Sequence, residues 1–260
     1  MEFLSVVHSD VGIKKSTNQD SVLIKEAITD YGKVLLTVIC DGMGGLAKGE
    51  VASATLIRTF SDWFEKEFPF ILYEERDTKE IDYNSLQRSW NNLIDDVNVK
   101  IARYGQSWHA AVGTTLVALL LVDSNYYIVN IGDSRVYIID TEMRQMTKDQ
   151  TFVQQQIDQG NITEEQAEHH PQRNVLLQCV GASAMIIPDF YMGTYEKNSI
   201  FMLCSDGFRH TITEDEFYKL MNPNILKTEK DMQNAAIYCT ELNKQRKEND
   251  NISVILVRAC

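Results

Sequence analysis

Val34-Leu35-Leu36-Thr37-Val38-Ile39-Cys40 runs without a charge and stops at Asp41-Gly42-Met43-Gly44-Gly45. A short aliphatic and β-branched run closed by Asp-Gly reads as a buried strand ending in a turn. The pattern recurs. Ile128-Val129-Asn130-Ile131 leads into Gly132-Asp133-Ser134-Arg135, and Ile200-Phe201-Met202-Leu203-Cys204-Ser205 leads into Asp206-Gly207. Asp250-Asn251 stands just before Ile252-Ser253-Val254-Ile255-Leu256-Val257. If these runs are neighbouring strands, their aspartates meet at one end of a sheet. Crowded carboxylates repel one another, and a hard divalent cation relieves the repulsion. The pattern points to a metal-dependent hydrolase of phosphate esters.

Working outward, strands are expected at residues 4–8, 21–25, 34–40, 114–122, 126–131, 135–140, 189–195, 200–204 and 252–258. Ala52, Leu56, Phe60, Trp63 and Phe64 recur at helical spacing, as do Leu86, Trp90, Ile94, Val97 and Ile101. Residues 66–84 are charged and carry Pro69, so they read as a loop. Residues 229–247 read as a long surface helix. Thr163 with Gln166, and Thr213 with Glu216, fit capping boxes. This order suits an α+β fold spanning residues 1–260, with two antiparallel sheets packed together and helices outside.

Composition narrows the function. The 260 residues carry a formal charge of −12, which argues against a nucleic-acid-binding face. The cysteines form no C-x-x-C pair and several lie inside apolar runs, as expected of buried thiols in the cytoplasm. The N-terminus has no basic n-region, and no apolar run is long enough to span a bilayer, so neither a signal peptide nor a membrane span is expected.

Each motif also has a plainer reading. An isolated Asp-Gly is a turn signal, Asp133 has Arg135 nearby as an ion-pair partner, and Asp250 could merely open a turn. Gly42-Met43-Gly44-Gly45 is too glycine-rich for a two-residue hairpin, and glycine lets backbone such as the Gly42 carbonyl approach a cation. The coincidence of these aspartates at strand ends is harder to explain as turns alone. An oxygen-only ligand set favours Mg²⁺ or Mn²⁺ over zinc. The adjacent His169 and His170 cannot face one site on a helix. A cysteine phosphatase needs an arginine six positions after the nucleophile, whereas Arg209 is five after Cys204 and His210 holds the sixth position. Residues 44–49 lack the G-K-[ST] ending of a phosphate-binding loop.

Several further stretches complete a recognisable series. Ser9-Asp10-Val11-Gly12 leads to Asn18-Gln19-Asp20-Ser21, and Asp41-Gly42-Met43-Gly44-Gly45 to Gly49-Glu50-Val51-Ala52-Ser53. Gly113-Thr114-Thr115, Gly132-Asp133-Ser134-Arg135-Val136-Tyr137 and Thr147-Lys148-Asp149 follow. Then come His170-Pro171-Gln172-Arg173-Asn174 leading to Gly181, Cys204-Ser205-Asp206-Gly207, and Asp250-Asn251-Ile252-Ser253-Val254. In this order and over nearly the whole chain, they resemble the PP2C (PPM) family of metal-dependent protein serine/threonine phosphatases, in its bacterial single-domain form.

The resemblance implies a central antiparallel β-sandwich flanked by helices in α-β-β-α layers, with a flap at about residues 150–181. It implies two or three Mn²⁺ or Mg²⁺ ions. Asp41 would bridge two, the Gly42 carbonyl would bind one of them, and Asp206 and Asp250 would hold the other. Asp133 with Asp206 would form a third, weaker site, and Asp20 would act through a metal-bound water. Hydrolysis would proceed by a hydroxide shared between two cations. Substrates would be phosphoproteins modified by a serine/threonine kinase, and the enzyme a cytoplasmic monomer. The same fold without activity, a pseudophosphatase that binds phosphoproteins, is the alternative; Asp41, Asp206 and Asp250 favour the enzyme. The sequence departs from the family pattern at Lys15, where an arginine usually clamps the phosphate, at Gln19 in place of glutamate, and at Met43 where eukaryotic members carry histidine. Lysine grips phosphate as a point charge rather than bidentately, so weaker substrate anchoring is expected.

Overall fold

A computed structural model describes residues 1–44, 48–74 and 81–260. Gly45 to residue 47 of the glycine-rich motif, and 75–80 of the expected charged loop, lie outside the described residues.

The run that opens the sequence reading becomes β3 (Gly32–Gly44). Alternate side chains of a strand face opposite ways. Val34, Leu36, Val38 and Cys40 therefore enter one apolar cluster, and Leu35 and Ile39 another. Both faces are covered, which is why the run reads as continuously apolar rather than alternating.

The first cluster lies beneath α1 (Gly49–Lys66) and α3 (Tyr83–Ser107). These helices bring down Ala52, Leu56, Phe60 and Trp63, and Leu86, Trp90, Ile94, Val97 and Ile101. The second cluster lies between two sheets and includes Phe201 and Leu203 of β10 (Ile200–Cys204) and Ile255 and Val257 of β11 (Ile252–Ala259).

One sheet has the order β1-β11-β10-β7-β8, with β1 (Phe3–Asp10), β7 (Arg135–Ile139) and β8 (Met143–Gln145). The other runs β2-β3-β5-β6-β9, with β2 (Asp20–Thr29), β5 (Leu116–Val122), β6 (Asn125–Ile131) and β9 (Asp189–Thr194). β4 (Val112–Thr114) pairs with the end of β3. The strand pairings are antiparallel. A third cluster joins β7, β10 and β11 to α6 (Asp206–Arg209), α7 (Glu214–Met221) and α8 (Glu229–Gln245) through Phe208, Phe217, Met232 and Ala236. The result is the expected α-β-β-α sandwich.

Registers bring the aspartate-bearing ends together. Cys204 lies opposite both Arg135 and Val254, and Asp10 opposite Ile252. In the other sheet Asp20 pairs with Asp41, while Leu116 faces Ile131 just before the Gly132-Asp133 turn.

The loop reading of residues 66–84 needs correction. Phe68–Glu74 is a short helix, α2. Pro69 sits in its first turn, where a missing N–H costs nothing. Phe68 stacks on Phe64 at 5.4 Å and lies 5.2 Å from Trp63, so apolar contact outweighs the surrounding charge. Both expected capping boxes form, and Thr228 with Asp231 adds another at the start of α8. Residues 150–181 hold α4 (Phe152–Asp158) and α5 (Glu164–Glu168), tied back by bridges Thr151–Leu176 and Thr114–Val180. Among the described residues no helix is long and apolar enough to cross a membrane.

Candidate active site

Asp41 is held by its backbone. Its N–H donates to Thr115 Oγ1 (2.9 Å), and its carbonyl accepts from Thr115 N (2.8 Å) and Thr114 Oγ1 (3.0 Å). Thr115 Oγ1 also bonds Ser134 Oγ at 2.8 Å, tying this strand end to the Asp133 turn. Asp20, directly opposite in register, presents its carboxylate on the same face of the sheet. Ser205 Oγ donates to Asp20 Oδ2 at 3.0 Å and accepts from Ser253 N at 3.0 Å, linking β2 to Asp206 and to β11. Asn251 Oδ1 accepts from Gln19 N (2.9 Å), while its amide donates to Val11 O and Thr17 O. The segment carrying Lys15 is thereby pinned, and Lys15 Nζ meets Asp250 Oδ1 at 2.9 Å.

Gly42 is a steric requirement. A Cβ there would stand 2.3 Å from Gly49 O and 2.6 Å from Gln19 O, both backbone atoms. Gly42→Ala must push β2 or the start of α1 away. We expect a loss of ~1–3 kcal/mol or more in chemical denaturation, since overpacking against backbone relaxes poorly. Unchanged stability would show that the strand end is looser than the contacts indicate.

The charge balance is unusual. Burial first, then the neighbouring charges of Asp20, Asp206, Asp133 and Asp250, push the Asp41 carboxyl well above its ordinary range. Burial, with the charges of Asp206 and Asp250, raises Asp20 to about 7 against the hydroxyl bonds that lower it. Burial and Asp206 raise Asp133 to about 7, opposed by Arg209. Asp20 Oδ1 and Asp206 Oδ1 are buried and, among the described residues, have no hydrogen-bond partner.

Orphaned buried carboxylate oxygens, in an all-oxygen set, fit a hard divalent cation in kind and in charge. Among the described residues, no three His, Cys, Asp or Glu side chains converge closely enough to hold one ion as they stand. Mutual repulsion and the pull of Lys15 on Asp250 both act to spread the carboxylates.

This balance sets a pH dependence for metal-free protein. A carboxyl whose folded pKa is raised binds more protons folded than unfolded between about 4 and 7. Its contribution is therefore full below about 4 and is lost as pH rises through about 7. In EDTA, melting temperature should fall from pH 5.5 to pH 8, and added Mn²⁺ should raise it more at pH 8. A melting temperature independent of both would deny the repulsion.

Some site residues have no strong signal in the sequence. Arg135 does not pair with Asp133. Its Nε and Nη2 grip Asp149 Oδ1 and Oδ2 at 2.7 and 2.8 Å, and Nη1 donates to Tyr137 OH. Arg209, noted only as failing the cysteine-phosphatase spacing, turns toward Asp149 and Asp133. His210 lies 3.7 Å from Asp206 and 3.5 Å from Glu248, whose Oε1 accepts from the backbone of Asn249 and Asp250. Cys204 is fully buried, and burial pushes its thiol up to about 12, too high for a nucleophilic thiolate.

The sequence profile of the family described as Protein phosphatase 2C matches residues 12–244. The chain belongs to the protein phosphatase 2C family. It is 32% identical over 252 residues to the serine/threonine phosphatase stp of Listeria innocua, covering 96% of this chain and 93% of that one. Its fold superposes on the Streptococcus agalactiae serine/threonine phosphatase with a TM-score of 0.83 at 28% identity, over 100% of both chains. It also resembles the catalytic domain of PstP solved in complex with 2 manganese ions, with a TM-score of 0.77 at 27% identity over 98% of this chain and 97% of that one. These likenesses place the phosphatase among the protein serine/threonine phosphatases.

Proposed function

We propose that this phosphatase hydrolyses phosphoserine and phosphothreonine in proteins at the Asp20–Asp41–Asp206–Asp250 end of the sandwich, with two Mn²⁺ or Mg²⁺ ions. The carrying observation is the gathering of these carboxylates with Asp20 and Asp206 buried and, among the described residues, an oxygen of each unpartnered. The manganese-bound PstP relative supports the choice of ion. Asp41, the Gly42 carbonyl, Asp206 and Asp250 would hold the ions. When bound, these supply positive charge for the phosphoryl oxygens and lower the pKa of water.

The protein's own groups do the rest. Asp20, whose Oδ1 is buried and unpartnered among the described residues, would accept a hydrogen bond from a metal-bound water and so orient it. Lys15 is the cation at the cluster's edge; burial lowers its pKa, but the bond and charge of Asp250, with Asp41 and Asp206 behind, raise it overall. It stays protonated and is available to a phosphoryl oxygen. Lys15→Ala should therefore raise KM for a phosphothreonine peptide by about three- to tenfold, with a smaller change in kcat. Unchanged KM and kcat would remove Lys15 from the substrate site.

Residues 150–181 are the flap beside this site in the same reading. A serine/threonine kinase supplies the substrates, and the enzyme works as a cytoplasmic monomer. The testing experiment compares phosphate release from phosphothreonine and phosphotyrosine peptides in Mn²⁺, Mg²⁺ or EDTA. Metal-dependent turnover of phosphothreonine is expected. No turnover by folded protein with either ion would overturn the reading.

A further inference from the structure

The Asp133 corner of the site faces a cation supplied by the chain itself. Arg209 Nη2 donates to the Asp133 carbonyl at 3.0 Å and to Asp149 Oδ2 at 3.2 Å, and stands 3.9 Å from Asp133 Oδ2. Its side chain is only 12% exposed. Arg135 already holds both oxygens of Asp149. Two guanidiniums thus share one carboxylate, and one positive charge is left over. Among the described residues, Asp133 is the other carboxylate paired with Arg209, so with Asp133 ionised the side chains of Arg135, Arg209, Asp149 and Asp133 together balance.

Among the described residues, no basic side chain is paired with Asp20 or Asp41, so no such balance exists there. A divalent ion on Asp133 would lie at ordinary carboxylate–metal distance, and therefore close to the guanidinium. Water screens that repulsion poorly in a buried setting.

We propose that Arg209 takes the place of a metal ion at Asp133, so that Asp133 ligates no ion and the centre binds two. This inference rests on the metal reading above and narrows it: the third ion implied by family resemblance is replaced by a fixed side chain. Arginine suits the role because it stays charged when buried and is held by two acceptors at once.

Equilibrium titration of the metal-free 260-residue chain with Mn²⁺ tests this, with free ion counted by electron paramagnetic resonance. Wild type should bind two ions and no more at millimolar Mn²⁺. Asp133→Asn should still bind two, with affinities changed by less than about tenfold, because only a nearby charge is lost. Arg209→Thr should gain a third, weaker ion, which Arg209→Thr combined with Asp133→Asn should lose again. Three ions on wild type, or one fewer on Asp133→Asn, would overturn the proposal while leaving the metal reading intact. No bound ion on folded wild type would overturn both. A folded Arg209→Thr protein that still binds only two would refute the role given to Arg209. Should that variant not fold, the wild-type count and Asp133→Asn decide the matter alone.

Discussion

Asp206→Asn should lower kcat/KM for a phosphothreonine peptide by at least about 10³-fold, while circular dichroism stays that of wild type. The amide has the carboxylate's shape but lacks its charge. Asp206 follows the end of β10 and enters the short helix α6, and its Oδ1 is buried without a partner. Losing that oxygen's charge removes an anionic ligand from the proposed centre, and ligands that share an ion fail as a unit rather than by increments. A second consequence separates ligand loss from misfolding. In EDTA the variant has one fewer carboxylate repelling Asp20 and Asp41, both of which feel its charge. The metal-free variant should therefore melt no lower than the metal-free wild type, and should gain less from Mn²⁺. A variant of near-normal rate would refute the ligand role.

The largest effect on stability is expected away from the proposed ligands. Asp149→Ala should cost about 3–5 kcal/mol in urea unfolding, because it leaves the buried Arg135 and Arg209 guanidiniums without the carboxylate they share. Asp149 is 9% exposed and accepts three of their N–H groups at 2.7, 2.8 and 3.2 Å. Burial would raise its pKa, but the charge of Arg209 and the bond and charge of Arg135 hold it below the ordinary value. The sign is therefore opposite to that of Asp20 and Asp41. Stability from Asp149 is present above pH about 4 and is lost as pH falls below it. The variant should show a weaker acid-side loss than wild type. A cost under about 1 kcal/mol would mean that water reaches and solvates the two guanidiniums.

Much of the site was legible because chemistry and local pattern coincide. Asp41, Asp133 and Asp206 each close an apolar run, and a run buried on both faces has few places to put a carboxylate except its end. The α+β layering was legible from the same runs and from the spacing of Phe60, Trp63, Trp90 and Ile94.

What stayed hidden depends on contacts distant in sequence. Arg135 could be paired on paper with Asp133, two residues away, but at the start of β7 it takes Asp149, which follows β8. Arg209 gains meaning only when the α6 turn sets it against Asp133 and Asp149. Pro69 and the charges around it hid α2, whose helix is held by Phe68 and Leu72 packing on α1 rather than by propensity. Lys15 was legible as a cation near phosphate, but its bond to Asp250 was not.

The most direct test is a Mn²⁺ titration of metal-free wild type in which bound ion and phosphate release from a phosphothreonine peptide are recorded together. Activity should rise with the filling of the carboxylate site and vanish with EDTA, and Asp41→Asn should abolish both signals in a folded protein. Hydrolysis that proceeds at full rate in EDTA, or survives Asp41→Asn, would contradict a metal-dependent phosphatase centred on these aspartates.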